Sequence, residues 1–441
     1  MNFAESLHYL LGLGHETLAI KFGLENTERL LEATGQPQRA FPKVQIAGTN
    51  GKGSVAVMLD AAAREACLKT GLYTSPHLVS ITERIRTSGR EITTEDFARL
   101  ASGVRERAMS LVANGALAAL PTFFEHVTVI ALAAFKEAEV ELAILETGLG
   151  GRLDSTTAAG AEVVAITPVA FDHQEYLGRT IAEIAAEKAA IIRPGVAAIV
   201  APQMPEAMEV ILRRCAECEV KPRVAEFEMR VTNVDERGRL RVSCKTARGS
   251  YENVRLNLPG RHQAVNAAVA IALAETLDER GLNIQREAII AGLESASHPG
   301  RLEWRDGLPA FLFDGAHNAA GARALREYLD EFVRKPVTLV FGAMRDKDLT
   351  EIAQTLFPAA QRLVLTEIDN PRSATLATLT RLASHHDDAS RITFTRTVNE
   401  ALLAATKLTP PDGIVCVTGS LYLVGEAQAA LRQTPDEVYA S

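Results

Sequence analysis

The sequence is short of several things, and each shortage removes a class of function. Cysteine occurs five times in 441 residues, at Cys67, Cys215, Cys218, Cys244 and Cys416. An odd, dispersed set excludes a disulfide framework and suits reduced thiols. Cys215 and Cys218 form a C-x-x-C, but no second pair accompanies it and both fall in a helix-like run, so no zinc or redox site is expected. No apolar stretch approaches the roughly 20 residues that a membrane span requires. The first residues carry no basic-then-apolar signal, so a cytoplasmic protein without a membrane partner is the expectation. Positive charge is not in excess either. The formal net charge of −8 argues against a general nucleic-acid binder, yet it leaves room for a local basic pocket and anionic small substrates. Internal repeats and low-complexity segments are absent.

What is there is globular: 47% hydrophobic and 23% charged residues, in a chain long enough for two or three domains. Strand-type runs at 44–47, 71–73, 141–145, 163–166 and 197–200 alternate with helical patterns at 54–66, 94–113, 126–138 and 180–192. Such alternation predicts a doubly wound, mostly parallel sheet covered on both faces. The texture changes near Val224. "FEMRVTNVDERGRLRVSC" reads as two strands about a polar turn and "YENVRLNL" as a third, a small antiparallel insertion. "SHPGR" (297–301) reads as a linker. Beyond it "AFLFD", "PVTLVFG", "QRLVLTE" and "GIVCVTG" each precede a helical pattern, which predicts a C-terminal Rossmann-like α/β unit. The expected organisation is an N-terminal domain over 1–296, a linker at 297–300 and a C-terminal domain over 301–441.

One further absence is local. In "VQIAGTNGKGSVAVML" an apolar strand meets a glycine-rich turn with one lysine and then a helix, the context of a phosphate cradle. Backbone N–H groups and the helix N-terminus would hold phosphate oxygens, with Lys52 as a point charge. Position 53, where such loops carry the Ser or Thr that binds Mg²⁺, is glycine. Candidate hard-oxygen ligands in its place are Ser54, one residue late, Ser75 after a strand, and Glu146 at the end of another. Sites in doubly wound sheets gather at that carboxyl edge, and Gly148, Gly150 and Gly151 after Glu146 would let backbone approach a ligand.

Thr180-x-x-Glu183 is a capping-box signature, and the apolar stripe of the helix it opens runs through Ile181, Ile184, Ala185, position 188, Ile191 and Ile192. Position 188 is lysine. Two readings stay open: a snorkelling lysine with its amine at the surface, or a desolvated amine of lowered pKa able to take up CO₂ as a carbamate metal ligand. His173, just before this helix, is either a partner ligand or an ordinary loop histidine.

In order along nearly the whole chain, "AGTNGKGS", "YTSPHL", "FFE", "LETGLGGRLDST", "LPGRHQAVNAA", "GRLE", "DGAHN" and "GAMRDKD" resemble the folylpolyglutamate synthase/dihydrofolate synthase family of the Mur ligase superfamily. The resemblance implies an ATP-dependent ligase that activates a carboxylate as an acyl phosphate and joins it to L-glutamate. Dihydropteroate, reduced folates or both would be the acceptors, and the protein would act as a monomer. It further implies that Asn50, Gly51, Lys52, Gly53 and Ser54 bind ATP, with Asn266, Arg301, Asp314 and His317 contributing from the second half. Ser75 and Glu146 would hold one Mg²⁺, and His173, carbamylated Lys188 and Glu146 a second. Lys52, Glu146, His173 and Lys188 form the implied catalytic set. Lys21, Phe22, Gly23, Thr122, Phe123, Phe124, Glu125, Leu153, Asp154 and Ser155 match the pterin side. There Asp154 would accept bonds from the pterin amino edge, and the two phenylalanines either stack on the ring or pack as helix-start core.

Two other enzyme classes fit the sequence less well. A cell-wall Mur ligase would need a nucleotide-sugar domain before a loop that here begins at residue 48. A phosphate-loop kinase or GTPase-like switch would need Ser or Thr at position 53 and would leave "DGAHN" unexplained.

Overall fold

The computed structural model describes residues 1–14, 23–225, 229–384 and 388–433. Lys21 and Phe22 lie outside them. Three sheets organise the described chain. The first has eight strands in the spatial order Arg90–Glu91, Ile85–Thr87, Thr70–Tyr73, Leu142–Glu146, Lys43–Ala47, Val163–Ile166, Ala197–Val200 and Arg223–Val224. The six from Thr70–Tyr73 onward pair in parallel, and a short antiparallel hairpin closes one edge.

Four of its parallel strands, Lys43–Ala47, Thr70–Tyr73, Leu142–Glu146 and Val163–Ile166, are buried at every position because both faces are covered. Leu142 and Ile144 join Val44 and Ile46 in a cluster with the helices Lys52–Glu65 and Gln263–Leu277. Ala143 and Leu145, pointing the other way, join the helices Thr94–Ala113 and Phe123–Glu137. This is the two-residue alternation of a pleated strand.

The insertion is the expected antiparallel trio, Arg230–Val234, Leu240–Thr246 and Gly249–Arg255. The third sheet holds the four predicted C-terminal strands, Ala310–Asp314, Val337–Phe341, Arg362–Thr366 and Ile414–Thr418. It gains Glu303–Arg305 at one edge and Ile392–Thr395 at the other.

Three helix boundaries differ from expectation. The helix expected from 126 begins at Phe123, because Thr122 and Glu125 form a capping box, Thr122 Oγ1 accepting from Glu125 N–H at 3.3 Å. The one expected to 192 ends at Ala189, with Ala190 as its C-cap, and Ile191 and Ile192 stay buried in the following turn. The loop helix starts at Lys52 instead of Ser54, capped by Gly51 in a left-handed conformation. All five cysteines are free, and Cys215 and Cys218 are buried. Among the described residues no helix is long and apolar enough to cross a membrane.

Candidate active site

The carboxyl ends of the first and third sheets face each other across two cavities that share a wall. The loop 48–53 follows the strand Lys43–Ala47, Ser75 follows Thr70–Tyr73, and Glu146 ends its own strand. From the third sheet and the loops after its strands come Asp314, Met344, Lys347, and Ser420 to Tyr422.

The first cavity, about 320 Å³, is built on the phosphate loop. Gly51 has φ 90°, and a β-carbon there would lie 2.3 Å from Asn266 Oδ1, so only glycine suits both backbone and space. Lys52 Nζ folds back onto the carbonyls of Gly48 and Thr49, each at 3.2 Å. Burial lowers its pKa, while the Glu146 and Asp172 charges push it back up. Lys188 is 4% exposed and donates from Nζ to Gly48 O at 2.9 Å. The snorkelling reading therefore fails: the amine points inward, and burial first, then the Lys52 charge, brings its pKa down to about 7.

Glu146 is 6% exposed and takes a hydrogen bond from Ser75 N–H at 3.2 Å. Burial pushes its carboxyl up, with Lys52 opposing. His173, in a left-handed conformation, receives Lys347 Nζ at Nε2 over 3.2 Å, and its Nδ1 is buried with no partner. Burial brings its pKa down to about 3, so the ring is neutral. Glu146 suits a cation, as a carboxylate that gains from a nearby positive charge. The neutral His173 ring has one lone pair, here directed at Lys347, so His173 would ligate a cation only by giving up that contact. Among the described residues no three His, Cys, Asp or Glu side chains converge as a cage.

From the second half, Asp314 accepts from Leu302 N–H and Ala316 N–H, each at 3.0 Å. Arg301 Nη1 reaches Gly315 O at 3.3 Å, and His317 Nδ1 lies 2.8 Å from the same carbonyl. Asn266 is buried against Gly51 and donates to Gln263 Oε1 at 2.9 Å. All four line the first cavity together with Asn50, Gly53 and Ser54.

The second cavity, about 230 Å³, is lined by Gly23, Thr122, Phe124, Glu125, Leu153, Asp154 and Ser155. Phe123 is not among its walls. It is buried at 4% exposure beneath the Arg84 guanidinium, 5.3 Å from its ring, so of the two phenylalanines it is the core residue. Phe124 lies over Gly148, where a β-carbon would meet its Cζ at 2.5 Å, and tilts against Tyr73. Asp154 is among the walls as well. Oδ2 accepts from Leu149 N–H at 2.9 Å, and Oδ1 from Thr156 N–H at 3.0 Å and its hydroxyl at 2.5 Å. Its carboxylate shapes the glycine-rich turn and has little capacity left for a ligand.

Several residues of the site carry no role assigned from the sequence. Asp172 accepts from Lys347 Nζ at 2.6 Å and from Asn318 Nδ2 at 3.2 Å, and Asn318 also donates to Asn50 Oδ1 at 3.0 Å. Burial works against the Asp172 charge, but His317, His173 and Lys347 overcome it and hold the carboxyl well below the ordinary range. Lys347, Arg372 and Ser420 add cationic and polar groups to the second cavity. "GAMRDKD" offered a signal for Lys347, whereas nothing local marks Arg372.

Residues 46–274 match the Mur ligase middle domain, and residues 300–421 the Mur ligase glutamate ligase domain. The chain is 34% identical to the dihydrofolate synthase/folylpolyglutamate synthase of Mycobacterium tuberculosis, over 93% of this chain and 90% of that protein. It superposes on Escherichia coli FolC in complex with DHPP and ADP with a TM-score of 0.83, at 31% identity, over 98% of this chain and 99% of that one. A bifunctional folylpolyglutamate synthase/dihydrofolate synthase with Mn, AMPPNP and L-glutamate bound gives 0.81 at 30% identity, over 98% of both chains.

Proposed function

The chain belongs to the Mur ligase family, in its dihydrofolate synthase/folylpolyglutamate synthase branch, and on that premise we propose that it joins L-glutamate to reduced folates and to dihydropteroate using ATP. The observation that carries this is the shared wall. Ser75, Gly148 to Gly150, His173 and His317 line both cavities, so a carboxylate reaching out of the second meets the phosphates of the first. A carboxylate is a poor acyl donor. Transfer of the γ-phosphoryl group to one of its oxygens gives an acyl phosphate. The glutamate amine then attacks the carbonyl carbon, phosphate departs with that oxygen, the amine loses its proton, and an amide remains.

The chain's work is positioning and charge neutralisation. The loop amides and Lys52 hold the triphosphate, with Asn266, Arg301, Asp314 and His317 closing from the other side. Ser75 and Glu146 would hold one Mg²⁺, and Glu146, His173 and Lys188 a second. When bound, Mg²⁺ neutralises developing charge on the phosphoryl oxygens. The Lys188 amine, neutral in part near pH 7, adds to CO₂ and releases a proton, leaving a carbamate oxygen donor. Phe124 offers a face to the pterin, and Lys347 and Arg372 offer charge to the carboxylates of glutamate. In this reading residues 1–296 bind ATP and 301–441 bring in glutamate. The complexes of FolC with DHPP and ADP, and of the related enzyme with Mn, AMPPNP and L-glutamate, support it.

The test is a pair of assays on the purified chain with ATP, Mg²⁺ and L-glutamate, one with dihydropteroate and one with tetrahydrofolate, read by product mass. One added glutamyl unit in both arms is expected. Addition in one arm only would restrict the acceptor, and addition in neither would overturn the reading.

A further inference from the structure

Gly53 is unusual among the glycines of the phosphate loop. Gly48 and Gly51 have positive φ, but Gly53 is the second residue of the helix Lys52–Glu65 and has no left-handed backbone. Any residue could adopt its conformation, so the missing side chain answers a demand for space. A β-carbon at position 53 would lie 2.5 Å from His298 Cε1 and 2.9 Å from His298 Nε2, with Glu146 Oε2 at 3.4 Å. The intruder comes from 245 residues further on, in the segment 297–301 between the two halves.

His298 Nδ1 lies 3.4 Å from Ser54 Oγ, which in turn receives Gln263 Nε2 at 3.4 Å. The other end of the segment is fixed to the third sheet. Gly300 O accepts from Gly315 N–H at 2.9 Å, and Gly300 N–H donates to Glu303 Oε2 at 2.7 Å. Arg301 follows at once and reaches into the same cavity. A segment held at both ends, with a bulky ring seated on the phosphate loop, fixes how far Arg301 stands from that loop.

We propose that His298 is a positioning residue of the ATP site, its ring filling the space over Gly53 that a serine or threonine would need and thereby setting Arg301 against the phosphate loop. This rests on the ATP-ligase reading above. It accounts for the glycine where nucleotide loops ordinarily carry a hydroxyl: the two side chains are alternatives for one volume. It also makes a demand on mutants, since enlarging position 53 and trimming position 298 must compensate.

Two cycles test it, each read by calorimetric affinity for AMPPNP with Mg²⁺ and by kcat and KM for ATP, with thermal melting to check folding. Gly53→Ser alone overpacks the contact and should weaken AMPPNP binding by about tenfold or more. Adding His298→Ala should return the affinity to that of His298→Ala alone. If Gly53→Ser does not fold, Gly53→Ala replaces it. In the second cycle His298→Ala lowers kcat. Because it acts through Arg301, it should cost nothing further in an Arg301→Ala background. A double variant with affinity no better than Gly53→Ser, or kcat losses that multiply, would overturn the proposal while leaving the ATP site in place. Failure of the unaltered chain to bind AMPPNP would instead overturn the ATP reading itself.

Discussion

Lys347 Nζ and Asp172 Oδ1 stand 2.6 Å apart, side chains 8% and 9% exposed, and they belong to opposite halves of the molecule. Asn318 and His317 bind the other carboxylate oxygen from the C-terminal side. The pair is therefore a buried electrostatic bridge across the two cavities, and Lys347 Nζ also lies 3.2 Å from His173 Nε2. Removing one member of a buried pair strands the other's charge, at about 3–5 kcal/mol. Asp172→Ala should destabilise the fold by that order in urea denaturation. Adding Lys347→Met should recover most of the stability but none of the glutamate addition, because the ammonium is then gone as well. Equal stability of the single and double variants would refute the bridge.

Lys188 gives a pH prediction. Its pKa falls to about 7 from 10.5 through burial and the Lys52 charge. Between those values the unfolded lysine holds a proton that the folded one lacks, so the folded state gains stability as pH rises and loses it as pH falls toward 7. Lys188→Met should remove this slope in denaturation curves measured at a series of pH values. With ¹³C-bicarbonate above pH 7, a carbamate carbonyl resonance should appear in the unaltered chain and be missing from Lys188→Met. A resonance persisting in the variant would assign it elsewhere.

Phe123 and Phe124 are neighbours in sequence with opposite expected phenotypes. Phe123→Ala opens a core cavity and should cost about 3–5 kcal/mol of stability, with folate KM little changed. Phe124→Ala should raise the folate KM about tenfold, from lost stacking and contact area, and leave the ATP KM alone. Denaturation and steady-state kinetics on both variants separate the two roles. Exchanged phenotypes would place the wrong ring in the cavity.

What the sequence could reveal follows from how local each signal is. The phosphate loop, Ser75 and Glu146 were legible because each sits beside a strand end, and strand ends share one edge. Lys188 was visible as a charge on an apolar stripe, though the direction of its amine was not. The hairpin 85–91 escaped because its strands span three and two residues and are largely polar. Asp172 with Lys347 lies 175 residues apart in the chain, and Ser54 with His298 244. No periodicity links such partners. Phe123 against Phe124 was undecidable for a different reason: adjacent helix positions face different directions, and only the packing beneath says which is inward.

The measurement that tests the central claim most directly is oxygen transfer. Dihydropteroate labelled with ¹⁸O in its carboxylate would be turned over with ATP, Mg²⁺ and L-glutamate, and the released phosphate analysed by mass. If the carboxylate is activated as an acyl phosphate, one ¹⁸O passes into each phosphate and ADP is the nucleotide product. Unlabelled phosphate, or release of AMP and pyrophosphate, would contradict the account.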